Sequence, residues 1–121
     1  MVLLINTRGE NNFVSIYKKN LEIDTLLWNI KNEPSDILLK KIDELLRKNK
    51  YTLKDIDAIV VCLGPGSFTG LRVGISIANA LAKSLDVGAI GYKYDKIPDL
   101  SKISRQQFSK ILEPFYNFKL E

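Results

Sequence analysis

The stretch Ala58-Ile59-Val60-Val61-Cys62-Leu63-Gly64-Pro65-Gly66-Ser67-Phe68-Thr69-Gly70-Leu71-Arg72 decides how the chain is read. Its first six residues are apolar without interruption and rich in β-branched side chains, the pattern of a strand buried on both faces. Gly64, Pro65 and Gly66 then punctuate a tight turn, and Ser67 or Thr69 can cap the helix that follows. From Leu71 to Leu85 the apolar spacing is helical and the run is too long for a strand.

A glycine turn that feeds a helix is a candidate anion site, because free N–H groups and the helix dipole converge there. Spacing excludes two familiar phosphate loops. The P-loop needs a Gly-Lys pair, and none follows Gly66. The dinucleotide fingerprint needs a third glycine at position 69, which is Thr69, with Gly70 one residue late. Gly64, Pro65, Gly66 and Ser67 are therefore read as a structural turn. A one-domain nucleotide or phosphate binder using Gly64 to Thr69 is the alternative.

The helix itself carries a narrow polar stripe, Arg72, Ser76, Asn79, Lys83 and Asp86, about 80° wide. A helix with its back in water would show a wider one, so this helix is expected to be covered from two sides. Gly70, Gly74, Ala78 and Ala82 recur every four residues, and such a row of small side chains admits close approach of another backbone. Either a neighbouring helix of the same chain or a partner protein covers that row.

Composition narrows the chemistry. The chain has 121 residues, 45% of them hydrophobic, which suits one globular domain. Its net charge of +4 is mild, so attraction to nucleic acid is allowed but not demanded. Histidine is absent, which removes Ser/His and Cys/His catalysis and disfavours zinc; no metal site is expected. Cys62 is alone in the buried strand, so it reads as a core residue in a reducing compartment. No signal peptide or membrane-length apolar run occurs, and a cytoplasmic protein is expected.

In chain order, Val2 to Ile5, Phe13 to Tyr17 and Leu21 to Ile30 read as three strands. Lys19-Asn20 closes the hairpin between the second and third, with Asn tolerating positive φ. Trp28 is a packing residue. Asn32 to Asp36 reads as a helix start, with Pro34 early, acids early and Asn32 or Ser35 as cap. Leu38, Ile42, Leu45 and Leu46 form that helix's apolar face, and Ile37 and Leu39 widen it toward a second contact. Arg47, Lys48 and Lys50 end it with the sign the dipole favours. Lys40, Lys41 and these three read as a solvated face, with direct tRNA binding as a weaker reading. Thr52 to Asp55 reads as a short capped turn. Asp86 to Gly91 returns as a fifth strand, making a parallel crossover unit with the Ala58 strand. After Tyr92 the pattern changes. Ser104 to Gln107 is a capping box, Phe108, Ile111 and Leu112 give a brief helical face, and an aromatic tail follows.

This order of elements, a three-strand meander, helix, strand, glycine turn, helix and strand, resembles half of an actin/Hsp70-like ATPase unit. The block Gly64-Pro65-Gly66-Ser67-Phe68-Thr69-Gly70-Leu71-Arg72, with Asp55 to Leu63 before it and Val73-Gly74 after it, is similar to the TsaB (YeaZ) family, over residues 2–91. The resemblance implies an α/β fold of the ribonuclease-H-like, actin/Hsp70-like (ASKHA) kind. That fold has one domain with a five-stranded mixed sheet, antiparallel in the meander and parallel beyond it. It divides the chain into a TsaB-like N-terminal domain, residues 1–91, and a C-terminal extension, residues 92–121, that packs back without being a domain. In place of the family's Asp-Thr-Ser at the end of the first strand stands Asn6-Thr7-Arg8, so the acid that orients metal and phosphate in active ATPases is missing.

What the resemblance implies for function is a non-catalytic dimerisation subunit in the synthesis of threonylcarbamoyladenosine, a modified base beside the tRNA anticodon. Its partner would be TsaD, or a second copy through the same helices, with TsaE engaging the pair and tRNA met only indirectly. The implied interface is the two helices flanking the central strand, with Ser35, Leu38, Leu39 and Ile42 on the first and Thr69, Gly70, Arg72, Val73, Gly74, Ile77 and Ala78 on the second. No catalytic residue and no cofactor is expected. The peptidase label once attached to the family does not carry over to a chain without histidine.

Overall fold

The computed structural model describes residues 1–29 and 36–102. Strands β1 (Val2–Asn6), β2 (Asn11–Lys18) and β3 (Leu21–Asn29) are followed by helix α1 (Ile37–Lys48). A 3-10 turn (Leu53–Asp55), β4 (Ala58–Gly64), α2 (Phe68–Leu85), β5 (Gly88–Lys93) and a second 3-10 turn (Leu100–Lys102) complete the described residues. The sheet order is β3-β2-β1-β4-β5. β1 pairs antiparallel with β2 and parallel with β4, and β4 pairs parallel with β5. The sheet is thus mixed and five-stranded, as expected. The central position of β1 and β4 explains their unbroken apolar sequences: both faces of each are covered.

Alternation sorts these strands between two cores. Leu3, Ile5, Ile59 and Val61 join Val14, Ile16 and Trp28 of β2 and β3 under both helices. Leu38, Ile42, Leu45 and Leu46 of α1 and Leu71, Ile75, Ala78 and Ala82 of α2 fill this layer. Val2, Leu4, Ala58, Val60 and Cys62 face the opposite way and pack with Tyr92 and Leu100. Among the described residues no helix longer than the 3-10 turn Leu100–Lys102 lies on this second face.

Three local details depart from expectation, each for a backbone reason. The hairpin turn places Lys19, not Asn20, at positive φ (56°), which leaves the Asn20 side chain for other bonds. Helix α2 ends on Asp86 with φ 56°, a left-handed cap, so β5 begins later than Asp86 and runs beyond Gly91 to Lys93. Helix α1 begins at Ile37 with no acid in its first turn and no side-chain cap from Asp36. The expected caps Asn32 and Ser35, and the pattern from Ser104 onward, lie outside the described residues. Elsewhere Thr52 donates from both N–H and Oγ1 to Asp55, at 2.8 and 3.3 Å, so the short capped turn is present. The far end of α1 is tied to β3, where Asp24 accepts from Asn49 Nδ2 at 2.9 Å and pairs with Lys48 Nζ at 3.2 Å.

Candidate functional site

The glycine turn joins β4 to α2 through a cis Gly64–Pro65 bond, with Gly64 at φ 116°. Ser67 is the helix cap, its Oγ accepting from Gly70 N–H at 3.3 Å. The Ser67 N–H donates to the Arg8 carbonyl at 2.8 Å. Gly66 lies so close to Arg8 that a Cβ there would overlap the Arg8 carbonyl oxygen. The amides of Ser67 and Gly70 are therefore already bonded within the chain. An anion seated at the Ser67 amide would compete with the Arg8 carbonyl for it.

The neighbouring strand tips are filled in the same way. Asn6 Nδ2 donates to Tyr92 Oη at 2.9 Å, and Asn6 Oδ1 accepts from Arg8 N–H at 3.2 Å. Asn6 and Tyr92 are both buried. Burial raises the Tyr92 phenol well above its ordinary value, and burial likewise pushes the Cys62 thiol up. Arg8 Nη1 pairs with Asp95 at 3.0 Å. An amide at Asn6 holds hydrogen bonds but takes no proton at neutral pH, and a thiol held neutral is a poor nucleophile. Among the described residues no group of three Cys, Asp or Glu side chains converges as a metal site.

The row Gly70, Gly74, Ala78 and Ala82 faces inward. Thr7 Oγ1 donates to Gly70 O at 2.6 Å, and a Cβ on Gly74 would overlap Thr7 Oγ1. Ala78 is fully buried in the core beneath the helix. The expectation that a partner lies along this row is corrected: this chain's own first strand and sheet require the small side chains. Leu38 and Ile42 are likewise only 1% exposed. Leu38, Ile42, Gly74 and Ala78 thus lie within this chain's core instead of at a partner surface.

The outer helical surface retains the remaining candidates. Leu39 is 53% exposed, Thr69 and Arg72 are exposed, and Gly70, Val73 and Ile77 are half-buried. Ser35 lies outside the described residues. The sequence reading missed Phe68, 52% exposed, with the Arg72 guanidinium 4.5 Å over its ring. It also missed an apolar groove of about 580 Å³ where α1 meets α2, lined by Leu39, Ile42, Leu46, Tyr51, Leu53 and Leu81. Leu39 at the edge of α1's apolar face was its one visible signal. No described helix is long and apolar enough to cross a membrane.

Comparison with known proteins gives a consistent picture. The family model described as "TsaD: tRNA N6-adenosine threonylcarbamoyltransferase" matches residues 31–93, just over half of the chain. The tRNA threonylcarbamoyladenosine biosynthesis protein TsaB of Buchnera aphidicola subsp. Schizaphis graminum is 37% identical over 91 residues, 75% of this chain and 43% of that protein. TsaB of Bacillus subtilis is 30% identical over 86 residues, 71% of this chain and 38% of that protein. The solved structure of "YeaZ from Pseudomonas aeruginosa" superposes with a TM-score of 0.69 at 26% identity, over 76% of this chain and 43% of that one. The chain thus spans less than half the length of these relatives. With the family model over more than half of the chain, and with these two relatives and the structure neighbour named TsaB or YeaZ, the chain belongs to the TsaB (YeaZ) family.

Proposed function

We propose that this chain is a non-catalytic scaffold subunit in the synthesis of threonylcarbamoyladenosine on tRNA, binding TsaD and holding it in an active arrangement. Supporting the pathway are the names of its relatives, TsaB, and of its family model, TsaD. Supporting a scaffold are exposed Leu39 at the edge of the apolar groove that α1 and Leu81 of α2 line, and exposed Phe68 with half-buried Val73 and Ile77 along α2. An exposed apolar patch with a polar rim marks a docking face. TsaE would engage the assembled pair, a second copy of the chain would compete for the same face, and tRNA would be met through TsaD. The scaffold acts in the cytoplasm.

The test is co-purification of the full chain with TsaD from the same host. The double substitution Leu39→Asp and Arg72→Glu, on outward positions, should abolish co-elution and leave the circular dichroism of the free chain unchanged. Undiminished co-elution would move the interface elsewhere. Calorimetry with magnesium and ATP addresses the alternative binder; tight binding would overturn the scaffold reading.

A further inference from the structure

Among the described residues, one segment crosses the second face of the sheet. It leaves β5 at the strand-tip end, where Tyr94 N–H donates to Gly64 O at 2.8 Å. It reaches the opposite end of the sheet, where Leu100 N–H donates to Asn20 Oδ1 at 2.8 Å in the β2–β3 hairpin. Between these points residues 94–97 and 99 are exposed and Pro98 is half-buried. Leu100 is the anchor, 3% exposed and packed in the same layer as Val2, Leu4, Val60, Cys62 and Tyr92.

The polar ties sit at the two ends. Arg8 holds Asp95 at 3.0 Å. Asn20 works twice, donating from Nδ2 to Asp99 Oδ1 at 2.8 Å while accepting from Leu100 N–H. Asp99 Oδ1 also accepts from Ser101 Oγ at 2.6 Å and Ser101 N–H at 3.0 Å, which folds the segment's end into its 3-10 turn. Exposed ties of this kind are individually weak, and a segment with one buried anchor opens at lower cost than the sheet it crosses.

We propose that residues 94–100 are a latched strap: Leu100 is seated in the second face, Asn20 is the catch, and its release opens that face while sheet and helices stay folded. The chain carries its own reporter. Cys62 is the only cysteine, is fully buried in this layer, and points its thiol at the Tyr94 carbonyl 3.9 Å away.

The experiment measures labelling of Cys62 in the full native chain by a chromogenic disulfide reagent, with urea unfolding followed in parallel. Asn20→Ala, at an exposed position, should speed labelling about tenfold, with a urea dependence of labelling much shallower than that of global unfolding. Leu100→Ala, which removes the anchor and leaves Asn20 in place, should lower the urea midpoint and also speed labelling with the same shallow urea dependence. Labelling that is unchanged in both variants, or whose urea dependence equals that of global unfolding, overturns the proposal.

Discussion

Thr7 and Gly74 occupy each other's space: the Thr7 hydroxyl, bonded to Gly70 O at 2.6 Å, stands where a side chain on Gly74 would begin. The close approach of α2 to the end of β1 thus depends on a missing methyl. Gly74→Ala should destabilise the chain by about 1–3 kcal/mol, because helix or strand must move. Thr7→Ser, which keeps the hydroxyl and drops a methyl, should cost less. Urea midpoints of the two variants check the order.

Tyr92 makes stability depend on pH at the alkaline end. Its phenol titrates above the ordinary value of 10.0 in the fold, chiefly through burial. The folded state thus favours the protonated form. That contribution is whole below the unfolded value of about 10 and is lost as pH rises through the folded value. Tyr92→Phe leaves Asn6 Nδ2 without its acceptor and should cost about 1–3 kcal/mol near pH 7. It should also flatten the fall in melting temperature above about pH 10. Tyr17, raised by burial and then by Glu22, keeps a residual slope. Thermal melts across the alkaline range check both.

Asp24 plays the corresponding part in acid. Its carboxyl titrates below the ordinary value because Asn49 donates to it, assisted by the Thr25 N–H and by Lys48. The folded state favours the charged form. Its contribution is present above the unfolded value of about 3.9 and disappears as pH falls through the lower folded value. Asp24→Asn should therefore lower the melting temperature at neutral pH and narrow the gap from wild type as pH drops below about 4. A gap that is constant with pH would count against the tie between α1 and β3 being ionic.

The two caps of α2 should respond in opposite directions. Ser67→Ala removes the oxygen that accepts from Gly70 N–H and should cost about 1 kcal/mol. Asp86→Gly relieves a left-handed residue and should be neutral or stabilising by up to about 1 kcal/mol. Urea denaturation of each variant decides the signs.

Much of this fold was legible because apolar runs and periodicity are local properties. The run Ala58 to Leu63 announced a doubly buried strand, and Leu38, Ile42, Leu45 and Leu46 fixed the inner face of α1. Ser67 was a visible cap. The small-residue row was visible too, but which surface covers it depends on Thr7, 67 positions before Gly74, and no local pattern carries that. The same holds for the Arg8 carbonyl that closes the glycine turn: a backbone atom leaves no signature in residue types. Asn20 and Lys19 exchanged roles because a side chain with better bonds elsewhere is worth more outside the strained position of the turn.

The place of β1 in the sheet has a consequence for synthesis. It sits between β2, its neighbour in sequence, and β4, whose pairing residue Ala58 lies 56 positions after Val2. A nascent chain can zip β1, β2 and β3 into a ribbon early, yet one edge of β1 stays open until β4 emerges. For that interval the first strand is an unprotected template of five apolar and polar backbone-exposed residues, Val2–Asn6, able to pair with any extended chain nearby. The central strand of the finished molecule is the edge strand of its precursor.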